Sequence, residues 1–276
     1  ASDHKGVRGH VAVIGGAAPM RGAARLAASG ALRAGAGVCT WLPPPFERAV
    51  DHLRDVNALD PIMVAASPTL ADFEANLDDA LSRRGAVVLG PGIGRDSQAH
   101  TVVGQVLTRC NERGYPLVAD ADALFHFASW TNIVPDGCVI TPHPAEAARL
   151  LGISVDEVQR DRVAAARTLA ARYRAVVVLK GQRTLICDGM RLAICLTGSQ
   201  ALATAGTGDV LAGVVAAFLA QGIASWEAAA LAVVVHGAGG ERLADVWGHR
   251  GAMASDLPDA IALAMRPTSS GTLPQL

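Results

Sequence analysis

The stretch His10-Val11-Ala12-Val13-Ile14-Gly15-Gly16 decides the fold: a short apolar run ends in two glycines, and residues 22–34 then read as an Ala-rich helix that stops at Gly35. A run with no polar alternation is the signature of a strand buried on both faces, and a helix directly after it is the crossover that a parallel neighbour needs.

The same unit recurs outward from it. Candidate strands follow at 38–42, 62–65, 86–90, 116–119, 139–141 and 176–180, with helical segments between most of them. This alternation predicts an α/β fold, a mainly parallel, doubly wound sheet with helices on both faces. After Lys180 the pattern changes, and 184–187 and 191–196 flank Asp188-Gly189 as a short antiparallel hairpin. Three helices of small residues are expected at 209–221, 225–238 and 252–265, and the Pro/Ser/Thr-rich tail 267–276 is expected to fray. No repeat or linker divides the chain, so one domain over 1–276 is expected. With 51% hydrophobic but only 4% aromatic residues, and 29 glycines, its core must be small aliphatic side chains packed at close range.

Bulk properties exclude other classes. The 24 basic and 25 acidic residues leave a net charge of -1, with no basic stripe for a nucleic-acid backbone. The most apolar run, 210–220, is too short for a hydrocarbon layer of about 30 Å. Cys39, Cys110, Cys138, Cys187 and Cys195 are scattered, without a CxxC pair, as suits reduced, buried thiols. With no charged n-region and apolar h-region at the start, a cytoplasmic location is expected. The apolar segment 225–238 suits a homo-oligomer interface and an interior position equally.

The strongest chemical signal is Gly206-Thr207-Gly208-Asp209 at the start of a helix. Glycines let backbone N–H groups converge on an anion, and the helix dipole adds positive potential there. A carboxylate beside that anion hole of Gly206, Thr207 and Gly208 suits a base that strips a hydroxyl as it attacks phosphorus; equally, Asp209 would be favoured in any first helical turn. The loop from Gly15 to Gly22 lacks a P-loop ending, and Gly90-Pro91-Gly92-Ile93-Gly94 lacks the third glycine of a dinucleotide fingerprint. The latter is a strand-to-helix turn or a ligand loop. Thr141-Pro142-His143-Pro144-Ala145-Glu146 holds His143 at a strand end, as a ligand contact or as a surface histidine beside a capping glutamate. Lys180 would meet phosphate or extend into water, and Asp120 and Asp122 would help hold hydrated Mg²⁺ or cap the next helix.

In order, these runs resemble the ADP- or ATP-dependent NAD(P)H-hydrate dehydratases of the ribokinase-like superfamily. The likeness extends from His4-Lys5-Gly6 and Gly9–Gly16 through Leu32-Arg33-Ala34-Gly35-Ala36-Gly37, Gly90–Gly94, Ala119-Asp120-Ala121-Asp122-Ala123-Leu124, Thr141–Pro144, Leu179-Lys180-Gly181 and Gly206–Gly213. The resemblance implies repair of the hydrated nicotinamide ring of NADH or NADPH, driven by ADP or ATP: the ring hydroxyl is phosphorylated and phosphate then leaves. It implies that Asp209 is the catalytic base, and that Ala23, Gly94, His143 and Asp209 meet the hydrated dinucleotide. It places the adenine nucleotide at Lys180, Gly181, Gln182, Arg183, Thr184 and Gly208, with Mg²⁺ arriving on the nucleotide and no dedicated protein metal site. Three departures stand out: Ala205 for a glycine, Ala145 for a glycine, and Gly198-Ser199-Gln200 for Asn-Pro-Gly; Ala205 is tolerated if its φ is negative. Two other readings compete, a small-molecule kinase of the same superfamily, such as a hydroxymethylpyrimidine kinase, and a non-catalytic nucleotide-binding protein.

Overall fold

The computed structural model describes residues 8–45, 61–81, 85–130 and 134–266; His4-Lys5-Gly6 and the tail 267–276 lie outside the described residues. The expected strands appear as β1 (His10–Ile14), β2 (Val38–Leu42), β3 (Met63–Val64), β4 (Gly85–Leu89), β5 (Leu117–Ala119), β6 (Val139–Ile140) and β7 (Val176–Leu179). These seven pair in parallel, and β8 (Leu185–Cys187) and β9 (Leu192–Ile194) add antiparallel to β7, giving the order β3-β2-β1-β4-β5-β6-β7-β8-β9. Asp188 closes the hairpin turn by accepting hydrogen bonds from the Met190 and Arg191 amides.

The connection order reverses between β1 and β4, whose central register sets Ala12 against Val87. In such a sheet the crevice at the strands' carboxyl ends, beside the reversal, is where ligands bind. The loops carrying Gly15-Gly16, Gly90–Gly94, Asp120, His143 and Lys180 all leave strands at that edge.

Helices cover both faces. Along β1, Val11 and Val13 pack toward α1 (Arg21–Arg33), α8 (Thr207–Ala220), α9 (Ser225–Gly251) and α10 (Leu257–Ala264). Ala12 and Ile14, pointing the opposite way, join the core under α2 (Leu70–Leu81), α3 (Ser97–Arg113), α4 (Asp122–Phe127), α5 (Pro144–Leu151), α6 (Val155–Arg160) and α7 (Arg162–Tyr173). Twelve of the fourteen residues of α8 are buried, so this helix has no solvent face and runs through the core. Its approach to α1 needs glycine: a Cβ on Gly213 would overlap the Ala27 carbonyl, and one on Gly30 would sit 2.5 Å from the Val210 carbonyl oxygen.

Three helix boundaries differ from expectation. The helix expected at 209–221 begins at Thr207, with Gly206 as its left-handed cap at φ 97°. The helix expected at 225–238 continues to Gly251, with a non-helical residue at Gly248. Gly237, Gly239 and Gly240 do not end it; they let it approach Thr197, Ile261 and Leu202, where any Cβ would collide. The third, expected over 252–265, splits into a 3₁₀ turn (Ala254–Asp256) and α10, which has Pro258 in its first turn.

Candidate active site

The site is assembled where α8 meets the ends of β5, β6 and β7. Asp209 is the third residue of α8, and the amides of Gly208 and Asp209 belong to the first turn, which no intrahelical carbonyl can satisfy. Thr207 is tied inward instead. Its amide donates to the Thr204 carbonyl at 3.3 Å and its hydroxyl to the Leu202 carbonyl at 2.8 Å. Thr207 therefore stands apart from the expected anion hole as the residue that anchors the turn. Ala205 is not among the residues with positive φ, so replacing glycine there introduces no backbone strain.

Lys180 neither extends into water nor stands free. Its Nζ donates to Asp120 Oδ1 at 2.7 Å and lies 4.0 Å from Glu146 Oε2, while its backbone amide donates to the Pro142 carbonyl at 2.9 Å. The ion pair is pressed against α8: a Cβ on Gly208 would be 3.1 Å from Lys180 Nζ and 3.8 Å from Asp120 Oδ2. A side chain at 208 would crowd the ammonium, which would have to give way by a few tenths of an ångström.

Electrostatics follow from that crowding. Burial is the main cause that pushes the Asp209 carboxyl up to about 7; the negative charge of Asp120 adds to it, Lys180 opposes it, and Glu146 and Asp122 add further. Burial pulls Lys180 down, yet Asp120, Glu146 and Asp209 outweigh it and hold the ammonium above its ordinary value. Burial raises Glu146 as well, against the pull of Lys180.

His143 caps α5. Its Nδ1 accepts from the Ala145 amide at 3.0 Å, and Glu146 Oε2 accepts from the His143 amide at 2.8 Å, a reciprocal capping box. Burial, then Lys180, lowers the imidazole pKa, so the ring is held toward its neutral form at the edge of the carboxylate cluster. Asp122 does not cap its helix: its carboxylate accepts from the Gly94 amide at 3.2 Å and from Arg95 Nε at 2.7 Å, tying the Gly90–Gly94 loop to the end of β5. Ala23 joins the same edge through Gly92, whose Cβ would be 3.4 Å from that of Ala23.

The β7–β8 loop carries Gly181, Gln182, Arg183 and Thr184. Gly181 takes φ 141° and Arg183 φ 57°, and the Thr184 hydroxyl donates to the Gly181 carbonyl at 3.1 Å. Arg162 braces the loop from α7, donating to the carbonyls of Gln182 at 2.6 Å and Leu179 at 3.0 Å. The departing run Gly198-Ser199-Gln200 is fastened to α9, with the Gly198 amide on Glu241 Oε1 at 2.9 Å and the Ser199 hydroxyl on the Gly240 carbonyl at 2.6 Å.

Two residues passed over in the sequence complete the frame. One is Arg162. The other is His236, buried in α9, whose Nε2 lies 2.9 Å from the Thr207 carbonyl. Burial pushes this imidazole down to about 4, so the ring is neutral and donates its Nε2 proton to that carbonyl. Nothing in its sequence neighbourhood signals this role.

Two cavities flank the cluster without including Asp209: one of about 510 Å³ beside Gln182, Arg183 and Arg162, the other of about 480 Å³ beside Arg95, Phe125 and Arg149. Among the described residues no group of three or more His, Cys, Asp or Glu side chains converges as a metal-binding set.

Residues 11–263 match the model of the NAD(P)H-hydrate dehydratase family. The chain belongs to that family. It is 40% identical, over 93% of its length, to a bifunctional NAD(P)H-hydrate repair enzyme of Vibrio cholerae, but covers 49% of that relative. The chain thus spans about half the length of the bifunctional relatives it matches. An ADP-dependent (S)-NAD(P)H-hydrate dehydratase of Neisseria meningitidis is 38% identical over 85% of this chain and 77% of its own length. Among solved structures, an ADP/ATP-dependent NAD(P)H-hydrate dehydratase of Bacillus subtilis, co-crystallized with ATP and Mg²⁺, superposes with a TM-score of 0.81 at 30% identity, covering 96% of this chain and 91% of that one. The NAD(P)H-hydrate dehydratase match runs from β1 through α10, so it takes in every loop of the cluster.

Proposed function

We propose that this protein restores NADH and NADPH from their ring hydrates, using ADP or ATP as phosphoryl donor. The observation that carries the reading is Asp209, a carboxyl with its pKa pushed up to about 7, held in the first turn of a glycine-opened helix. A base whose pKa lies near the operating pH combines a useful deprotonated fraction with strong proton affinity. Asp209 removes the ring hydroxyl's proton as its oxygen attacks the terminal phosphorus of the nucleotide, breaking the bond to the bridging oxygen. The carbon–oxygen bond then breaks, phosphate departs, and a ring proton is lost as the double bond returns.

In this reading the amides of Gly206 and Gly208 and the charge of Lys180 steady the migrating phosphoryl group, while Thr207 anchors the turn. Gly181, Gln182, Arg183, Thr184 and Gly208 hold the nucleotide, and Ala23, Gly94 and His143 orient the dinucleotide. Among the described residues Asp120 and Glu146 are engaged by Lys180, so Mg²⁺ would be held chiefly by the nucleotide phosphates, where it would supply charge neutralisation. Burial of all five free cysteines supports a reducing, cytoplasmic setting, and the continuous sheet supports one domain. No helix among the described residues is long and apolar enough to cross a membrane.

The test is incubation of the protein with hydrated NADH and either ADP or ATP, following recovery of NADH absorbance. Recovery that depends on one nucleotide and disappears in Asp209→Asn supports the reading. No recovery with either nucleotide refutes it.

A further inference from the structure

Outside the carboxylate cluster, the cavity of about 480 Å³ between α3, α4 and α5 has its own charge pattern. Phe125 forms part of its wall, and two guanidinium groups lie against that ring: Arg95 Cζ at 5.3 Å and Arg149 Cζ at 5.4 Å from the centroid. Stacking on an aromatic ring fixes a guanidinium's plane and leaves its N–H edge available. Arg95 is half neutralised by Asp122 at 2.7 Å. Arg149 has no ion-pair partner among the described residues, and its positive charge reaches His143 and Glu146 on its own helix. The acid on the cavity wall, Asp96, caps α3 through the Ala99 amide at 2.8 Å. The remaining titratable groups facing the cavity are His100 and His126, and the latter is turned to the Gly94 carbonyl at 3.0 Å.

The cavity therefore presents one uncompensated guanidinium and one shared one. It opens next to Gly94, one residue before Arg95, and Arg149 lies six residues along α5 from His143, about 9 Å of helix rise. The hydrated dinucleotide is longer than that distance and carries a diphosphate and, in its NADPH form, a 2′-phosphate monoester. A fork of N–H donors suits phosphate oxygens in particular.

We propose that this cavity is a phosphate subsite for the adenosine half of the dinucleotide substrate, with Arg149 as its principal ligand and Arg95 as a second. The inference rests on the reading of hydrated NAD(P)H as substrate. It adds a pair of specificity-determining residues that act away from the reacting ring.

The experiment compares wild type with Arg149→Gln and Arg95→Gln on three substrates: hydrated NADPH, hydrated NADH and the hydrated reduced mononucleotide, which lacks the adenosine half. If the 2′-phosphate occupies the subsite, Arg149→Gln raises KM for hydrated NADPH roughly tenfold more than for hydrated NADH. If the diphosphate occupies it, both dinucleotides lose roughly equally relative to the mononucleotide. Arg149→Lys recovers part of either loss, since charge remains without the planar fork. KM values that move together within about twofold across all three substrates overturn the proposal. Calorimetric binding of unhydrated NADPH and NADH to the same variants, with thermal melts to confirm folding, reads the subsite without turnover. Wild type that binds both but repairs no hydrate refutes the proposed function alone, while normal repair with unchanged binding by the variants refutes this inference alone.

Discussion

Asp209→Asn is expected to abolish turnover and to stabilise the folded chain, more at alkaline than at acid pH. An unfolded aspartate titrates near 3.8, whereas Asp209 in the fold titrates at about 7. Below about pH 4 the carboxyl is protonated in both states and contributes nothing. As pH rises from about 4 to about 7, the unfolded chain releases its proton while the folded chain keeps it, so stability falls; above about 7 the effect is complete. At about 1.4 kcal/mol per pH unit, the folded state loses up to about 4 kcal/mol at pH 8 and about 2 kcal/mol at pH 5. The helix N-terminus favours the carboxylate by up to about 1 kcal/mol, which makes these figures ceilings. Asparagine keeps the shape without the charge. Urea denaturation of both proteins at pH 5 and pH 8 should show the variant's gain larger at pH 8 by about 2 kcal/mol. An equal gain at both pH values, or a variant less stable than wild type at pH 8, would refute the account of a buried, crowded carboxylate.

Nucleotide affinity of the same variant, measured by calorimetry, should stay within about tenfold of wild type, because a base is lost and not a binding site. Asp120→Asn removes a charge that raises Asp209, so the acidic limb of the pH–rate profile moves to lower pH; Lys180→Met removes the charge that lowers it, so the limb moves to higher pH. Denaturation of Lys180→Met should also show a loss of about 3 kcal/mol or more, since Asp120 is left buried without its partner. His236→Leu, by freeing the first turn of α8, should lower kcat roughly tenfold with the melting curve showing a folded protein. Gly213→Ala would push a methyl group into the Ala27 carbonyl, and a thermal melt should show a loss of about 3 kcal/mol or more, or no folded protein.

Local pattern exposed the elements whose partners lie close in sequence. The strands expected at 10–16, 38–42 and 176–180 are read from short, mainly apolar runs, and the hairpin from Asp188-Gly189, since each needs only its own composition or turn chemistry. Asp209 stood out because glycine and helix signals converge on it. The pairing of its companions is not legible in the sequence, since their contacts span long separations: Lys180 reaches back 60 residues to Asp120, and His236 reaches 29 to Thr207. Residue types left Lys180 between phosphate and solvent, whereas burial beside two carboxylates decides its partner. The continuation of the 225–238 helix past Gly239-Gly240 is hidden for a related reason. A helix-ending glycine and one that admits a neighbouring helix look alike until Leu202 and Ile261 are seen against them.

The contact between α1 and α8 limits how this fold can move. Gly30 on one helix and Gly213 on the other bring backbone against backbone, so sliding or rolling the second helix would drive main-chain atoms together. The carboxylate of Asp209 is thus a fixed post, set by interlocked helices on the far side of the sheet from the His143 helix. In the proposed reading, closing around a bound nucleotide therefore falls to elements outside this helix pair, while the Asp209 carboxylate keeps its place.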